Sequence, residues 1–367
     1  MPLLMKQQNS LNKWRIGNEA YKMATYKRTV FTGPGQIRFD DVEIPEPGPT
    51  QALVKVKSCA ICTWEQRMYT GEEKFYPISG GHEVSGELVA VGKYVHTDAK
   101  IGDKVVAATL NRCGYCESCR KGLDSNCDNS FKPLRQVDVA GPSGLSEYCL
   151  IDDYMIYKGS NDVSYDELAL TEPLACVIRS ITKAQVRFAE NVVVVGAGIM
   201  GLLHLTVAKK TGARVIVSEP NPERAKFALQ LGADAVIDPT KEPFTDQVKG
   251  LTNGRGADAI FCAVSIAGAV ETAVDAAAKG GRVMVYASIH PRGTKISVDP
   301  NIFHGKEVTL TGTVSQSRQD MLESIRMISL GLVDLKPFIS KVYPFLQLED
   351  AIKAALRPDT YRVLVNM

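Results

Sequence analysis

No stretch of this chain approaches the roughly 20 consecutive apolar residues a membrane-spanning helix needs. The opening MPLLMKQQNSLNKWR contains no apolar run of signal-peptide length. Neither membrane insertion nor export is therefore expected, and the reading is cytoplasmic. Charge of one sign is also missing: 43 Lys and Arg stand against 41 Asp and Glu, a formal net of +2. Without a basic stripe, nucleic acid is not expected as a partner. Internal repeats and low-complexity segments are absent as well. Cysteine, by contrast, is plentiful. Nine cysteines in a reducing compartment, several of them clustered, point to metal rather than disulfides. A chain of 367 residues is long enough for two cores.

The rest of the chain is organised around NVVVVGAGIMGLLHLTVAKKTGARVIVSE, from Asn191 to Glu219. The run 192–195 reads as a strand buried on both faces. It breaks into Gly196-Ala-Gly198-Ile199-Met200-Gly201 and then apolar residues at helical spacing. Gly196 permits the turn, and Gly198 lets backbone N–H groups, with those of Ile199 and Met200, approach a pyrophosphate. Gly201 lets helix and strand pack closely, while the helix N-terminus supplies positive potential. The second strand, 214–218, ends in Glu219, whose carboxylate can accept both ribose hydroxyls of an adenosine. Strand, glycines, helix, second strand and terminal acid in register make a dinucleotide site the expectation. A ribose-binding carboxylate would repel a 2′-phosphate, so NAD is expected over NADP. Arg224, five residues on, either accepts a phosphate, sits over the adenine, or is a solvated helix charge.

Residues 1–23 read as a polar extension. From 24 to 173 the pattern is mainly β, with strands expected at 27–31, 36–42, 51–58, 84–91 and 104–108 between Gly/Pro turns. From 174 to 303 strands alternate with helices, at 192–195, 214–218, 235–237, 258–262 and 282–286, the rhythm of a doubly wound parallel sheet. The tail, 304–367, returns to irregular β and helix (308–313, 320–330, 348–356) and is expected to rejoin the first domain. The class is α/β, with a nucleotide domain inserted into a β-rich one.

Two constellations carry metal chemistry. Cys113-x-x-Cys116-x-x-Cys119-x7-Cys127 offers four thiolates in one loop, a closed tetrahedral set suited to structural zinc, with an iron–sulfur cluster as the competitor. The second is scattered: Cys62 after an apolar strand, His82 and Glu83 before another, and Glu172 opening a helix. Thiolate, imidazole and carboxylate with a water form a catalytic zinc site. Singly, each has a plainer reading: a buried cysteine, a core histidine, a surface acid, a helix-start acid.

Cys62, Gly81-His82-Glu83, the four-cysteine loop, the turn at 144–148, Glu172-Pro-Leu-Ala175, the Gly196/Gly198/Gly201 fingerprint and Gly280-Gly281-Arg282 occur in the order of a known family. From about Thr25 to the C-terminus the chain resembles the zinc-dependent medium-chain dehydrogenase/reductase family. Glu172 in Glu-Pro-Leu-Ala resembles its polyol, sorbitol-like branch. The resemblance implies a GroES-like catalytic domain, a Rossmann coenzyme domain and a cleft between them. It also implies two zinc ions per chain, the catalytic one on Cys62, His82, Glu83 or Glu172, and water, together with a homodimer or homotetramer. Such a zinc acts as a Lewis acid while hydride passes between a secondary alcohol and the nicotinamide.

One stretch departs from that family. After the zinc cysteine it usually has Gly-Ser/Thr-Asp and, two residues later, His; this chain has Cys62-Thr63-Trp64-Glu65-Gln66-Arg67. Trp64 replaces the relay hydroxyl and Arg67 the histidine. An indole N–H donates but does not accept, so a proton would leave through Thr63, Glu83, Glu172 or solvent, with the two acids favoured. Arg67 either holds an anionic substrate group or pairs with Glu65 away from the pocket. The substrate is expected to be a polyol, sugar derivative or small hydroxy compound. A non-redox zinc enzyme performing elimination or isomerisation, and a non-catalytic interaction protein on the same fold, are the alternatives. Cys59, Cys149, Cys176 and Cys262 read as buried small hydrophobes, Cys176 lying one helical turn after Glu172.

Overall fold

The computed structural model describes residues 24–132 and 138–367, so the expected extension 1–23 lies outside the described residues. Two compact units emerge: one holds the residues up to Asn111, Phe131–Leu170 and Ile339–Met367, the other Arg112–Ser130 and Thr171–Phe338.

In the first unit, β1 (Thr25–Gly33) and β2 (Gln36–Glu43) form an antiparallel pair through the turn at Gly35. The main sheet is built from β3 (Gln51–Ala60), β4 (Glu83–Val91), β5 (Lys104–Ala107), β6 (Tyr148–Asp152) and β7 (Ile156–Lys158). With β14 (Ile339–Pro344) and β15 (Arg362–Asn366) from the C-terminal tail, its order is β14-β15-β3-β4-β5-β7, with β6 also on β3. Val54, Val56, Val84, Leu88 and Val105 meet Ile352, Val363 and Val365 of that tail in one core. This is the GroES-like β unit. The strands missing from the sequence reading, β6, β7, β14 and β15, are short, and only the neighbouring strand makes them strands.

The second unit carries a six-stranded parallel sheet. It contains β8 (Asn191–Val195), β9 (Arg214–Ser218), β10 (Ala235–Ile237), β11 (Ala257–Cys262), β12 (Ala277–Val285) and β13 (Thr309–Gly312), in the order β10-β9-β8-β11-β12-β13. Valines 192 to 194 are fully buried, as a strand covered on both faces requires. The chain runs outward one way from β8 and the other way from β11, so the carboxyl ends of these neighbours flank a topological switch point. His204 joins the helices Thr171–Ala184 and Ile199–Lys210. Its Nδ1 donates to the Met200 carbonyl at 2.7 Å, and its Nε2 accepts from the Ser180 hydroxyl at 2.9 Å.

The expected boundary at 303/304 is corrected. Residues 309–312 form the sixth parallel strand, with Thr309 opposite Arg282, because the helix Pro300–Lys306 makes one more crossover beside β12. The helix Arg318–Ser329 stays in this unit too, its Ser324 hydroxyl donating to the Thr171 carbonyl. The tail returns to the first sheet only with β14 (Ile339–Pro344) and β15 (Arg362–Asn366). The four-cysteine loop also groups with the second unit. Among the described residues no helix is long and apolar enough to cross a membrane.

Candidate active site and metal centres

The register of β3 and β4 assembles the first centre. Ala60 lies opposite Glu83, so the residues just beyond each strand end, Cys62 and His82, are brought to the same corner. One ligand atom from each of Cys62, His82 and Glu83 lies within 4.8 Å of the others. Cys62 caps the helix Thr63–Thr70, its backbone extended at φ −73°, ψ 160°. Gly81 sits at φ +92°, where a side chain is strained, and a Cβ there would lie 2.2 Å from the Leu145 nitrogen.

Glu65 completes the corner and was not singled out from the sequence. It is fully buried, and one oxygen accepts both the Gly81 N–H at 2.9 Å and a bond from His82 Nδ1 at 3.0 Å. With Nδ1–H donating, His82 presents Nε2 as a lone pair, the arrangement that carboxylate–histidine–metal sites use. Burial opposes charge on both partners. It is outweighed for His82 by the negative charges of Glu65 and Cys62, which hold its pKa well above the usual value, and for Glu65 by His82, which keeps its carboxyl low. Burial pushes the Cys62 thiol up, only partly offset by His82. A divalent cation satisfies the same negative field as a proton on Nε2 would, so the donor set fits zinc. The available sequence signal was spacing: Glu65 shares its helix face with buried Met68, three residues on.

Glu83 has no solvent exposure and lies 2.8 Å from the Arg362 guanidinium, which also donates to the Ile61 carbonyl at 3.1 Å. Thr63 is exposed in the first turn of its helix. The expected alternative for Arg67, an ion pair with Glu65, is corrected: Arg67 lies 3.5 Å from Glu72, because Glu65 points inward to His82. Trp64 stands edge-on to His82 and stacks on Phe131. Glu172 belongs to the second unit, where it opens the helix Thr171–Ala184, 5% exposed, with the Cys176 thiol 3.3 Å from its Oε1. Cys59, Cys149 and Cys262 are buried, as small hydrophobes are.

The four sulfurs of Cys113, Cys116, Cys119 and Cys127 also lie within 4.8 Å of one another, Cys116 and Cys127 at 4.0 Å. Tetrahedral zinc–thiolate bonds place sulfurs about 3.8 Å apart, whereas an iron–sulfur cluster inserts its own irons and sulfides between them. The spacing therefore fits a single ion. Backbone N–H groups of Cys113, Cys116, Cys119 and Asn129 each donate to a sulfur at 3.4 Å. Burial raises the Cys113 thiol, but bonds from Asn129 and from backbone N–H groups draw it down to about 6. Burial and neighbouring sulfurs push Cys119 up to about 12. Four thiolates this close need a cation to coexist.

The strand, glycine turn and helix expected at 191–210 are formed. Gly196 follows β8 at φ +96°, Gly198 caps the helix Ile199–Lys210, and a Cβ on Gly201 would come within 1.8 Å of the Gly196 carbonyl. Ile199 and Met200 make the first turn of that helix. Glu219, just past β9, accepts the Ala197 N–H at 2.8 Å with one oxygen and the Asn221 N–H at 2.9 Å with the other. Its carboxylate is thereby fixed beside the glycine turn, with lone pairs remaining for a diol. Arg224 overhangs the same turn, its Nη1 3.9 Å from where a Cβ on Gly198 would sit.

Comparison with known proteins agrees with this geometry. Residues 48–161 match the family described as alcohol dehydrogenase GroES-like domain, and residues 200–329 the one described as zinc-binding dehydrogenase. L-threonine 3-dehydrogenase of Pyrococcus abyssi is 31% identical over 333 residues, 88% of this chain and 93% of the relative. L-galactonate-5-dehydrogenase of Escherichia coli is 29% identical over 89% and 94%. A protein of Sinorhizobium meliloti bound to NADP superposes with a TM-score of 0.86 at 26% identity, covering 94% of this chain and all of that one. An alcohol dehydrogenase of Escherichia coli complexed with NADH gives 0.84 at 25%, with 94% and 100% covered. Zinc-ligand geometry, nucleotide turn and relatives agree: this chain belongs to the zinc-binding alcohol dehydrogenases, zinc-dependent oxidoreductases with a GroES-like domain and a Rossmann-type sheet.

Proposed function

We propose that the enzyme transfers hydride between NAD(H) and a secondary hydroxyl or ketone of a polyol, sugar acid or related small hydroxy compound, in the manner of the sorbitol-like branch. The observation that carries this reading is the convergence of Cys62, His82 and Glu83, with Glu65 directing Nε2 of His82 into the group. When bound there, zinc supplies Lewis-acid polarisation of the substrate oxygen. Two zinc ions per chain are proposed, the second on Cys113, Cys116, Cys119 and Cys127. Glu172 competes with Glu83 as the catalytic carboxylate. Because the Glu83 carboxylate already meets Arg362, Glu172 is the preferred carrier of the departing proton. Thr63, exposed on the helix start, is the less favoured route.

Glu219 supports NAD over NADP, since a 2′-phosphate beside its carboxylate sets like charges together. Arg224, over the glycine turn, supports binding of the pyrophosphate or adenine side. Arg67 is proposed to draw an anionic substrate group, in exchange with Glu72. A substrate of this kind is consistent with a relative such as L-galactonate-5-dehydrogenase. A homodimer or homotetramer and a cytoplasmic location complete the proposal. The non-redox alternative rests on Trp64 standing where the relay hydroxyl is expected. Nicotinamide absorbance on a panel of polyols, aldonates and hydroxy acids separates the two: reduction of NAD by secondary alcohols is expected. Elimination products without any absorbance change would replace the redox reading. Arg67→Ala should raise KM several-fold for anionic members only; an unchanged profile removes that role.

A further inference from the structure

A polar chain, buried at Arg112, Gln316 and Glu172 and half-buried at Ser130, Ser315 and Cys176, runs from the neck of the four-cysteine loop to Glu172, all of it within the second unit. Arg112 directly precedes Cys113 and is 5% exposed. Its guanidinium donates to the Gln316 carbonyl through Nε at 3.2 Å and Nη2 at 2.8 Å. Nη2 also reaches the Ser315 hydroxyl at 2.7 Å, and Nη1 reaches the Ser130 hydroxyl at 2.9 Å. Ser130 lies just beyond Cys127, so one side chain closes the neck of the loop and grips the segment 315–316. Asp124 inside the loop grips the next residue but one, accepting from the Arg318 backbone N–H at 3.2 Å and from its Nε at 3.1 Å.

The grip is passed on. Ser315 has φ +55°, a left-handed conformation that a non-glycine residue holds only when its surroundings impose it. There its hydroxyl donates to Gln316 Oε1 at 2.6 Å. The Cys176 sulfur lies between Gln316 Oε1 at 3.6 Å and Glu172 Oε1 at 3.3 Å. A thiol carries one proton for two oxygen acceptors, and the shorter contact is to the carboxylate. Packing alone does not need this. An apolar side chain at 176 would fill the same space, and it would leave the Glu172 carboxylate without this donor.

We infer that Arg112, Gln316 and Cys176 are positioning residues. Anchored by the neck of the cysteine loop, they fix the rotamer in which Glu172 serves the zinc-dependent reaction. The inference rests on the functional reading of Glu172 given above. It assigns the loop a role in chemistry beyond stability, through side chains rather than through its own metal.

The test uses the zinc-loaded enzyme and four single variants: Cys176→Ala, Cys176→Ser, Gln316→Ala and Glu172→Gln. Three quantities are measured: kcat and KM with a turned-over secondary alcohol, melting temperature, and zinc release to a chromogenic chelator, whose faster phase reports the Cys62 site and whose slower phase the cysteine loop. Cys176→Ala and Gln316→Ala should lower kcat about tenfold with KM within about twofold. They should speed the faster release phase at least threefold while leaving the slower phase and melting temperature unchanged. Cys176→Ser, which keeps a donor, should restore most of kcat. Wild-type kcat and release in Cys176→Ala and Gln316→Ala, with Glu172→Gln impaired, would overturn the positioning role and leave Glu172 standing. A silent Glu172→Gln would overturn both. Losses that merely follow a lowered melting temperature, with no rescue by serine, would make the chain a structural one and overturn the inference.

Discussion

His82 Nδ1 lies 3.0 Å from an oxygen of Glu65, a carboxylate with no solvent exposure. The contact fixes the imidazole tautomer, and the same oxygen also accepts the Gly81 N–H. Removing it by Glu65→Ala should weaken zinc at the Cys62 site ten- to a hundredfold, the usual cost of losing such an outer partner. The bared Gly81 N–H should cost about 1–3 kcal/mol of stability as well. Zinc content after dialysis against graded chelator checks this, with the cysteine-loop zinc as internal reference. Undiminished retention would remove the orienting role.

Cys119→Ser should cost the loop its ion. Cys119 is buried and its sulfur is one of four within 4.8 Å, so a hydroxyl there leaves three ligands and an open face. Zinc should fall by one per chain and the melting temperature by several degrees, because ligation energy contributes to folding. Elemental analysis with calorimetry reads both. Two zinc ions and an unchanged transition would contradict the structural assignment, and iron in the wild type would contradict the choice of metal.

Wild-type enzyme should favour NAD over NADP in kcat/KM by at least tenfold. A 2′-phosphate a few ångströms from the Glu219 carboxylate suffers a repulsion of about 2–4 kcal/mol in a partly shielded site. Glu219→Gln removes the charge while keeping one acceptor oxygen, enough for only one of the Ala197 and Asn221 N–H groups, and should narrow the preference. Comparable kcat/KM for the two cofactors in the wild type would overturn the assignment.

Burial pushes the His204 imidazole down to about 4, with the Met200 carbonyl only partly compensating. The unfolded chain, with an ordinary value near 6.5, then binds the proton more readily than the folded one. Stability from the neutral ring is therefore complete above about pH 6.5 and is lost as pH falls from there towards 4. The full loss is about 3 kcal/mol. His204→Gln should be less stable at neutral pH and lack that acid slope. Parallel urea titrations from pH 7 to 4.5 make the comparison; identical slopes would show that other groups carry the acid sensitivity.

How far each feature could be read in advance depended on how local its cause is. The glycine turn at Gly196 to Gly201 and the cysteine loop are short-range devices: sterics at φ +96° and ligand spacing within fifteen residues are written in consecutive positions. The parallel strands were legible because burial on both faces demands unbroken apolar runs such as 192–195. The boundary at 303/304 was misplaced for the converse reason. Thr309–Gly312 is a strand because β12 lies beside it, and nothing in TLTG says which sheet it joins. Arg67 illustrates the same limit, since its partner depends on which way Glu65 faces.

By itself, then, the sequence determined the four-cysteine cluster, the glycine turn and the α/β alternation that surrounds it, and it named Cys62, His82 and Glu83 as candidates for a second cluster. Only the tertiary structure decided that Glu65, rather than any residue singled out in advance, orients His82, that Arg362 from the far end of the chain meets Glu83, and that Arg112 reaches Gln316. Those contacts join positions 17, 279 and 204 residues apart. Strand register and sheet order bring such residues together, and both arise from pairing between distant segments, which no local spacing records.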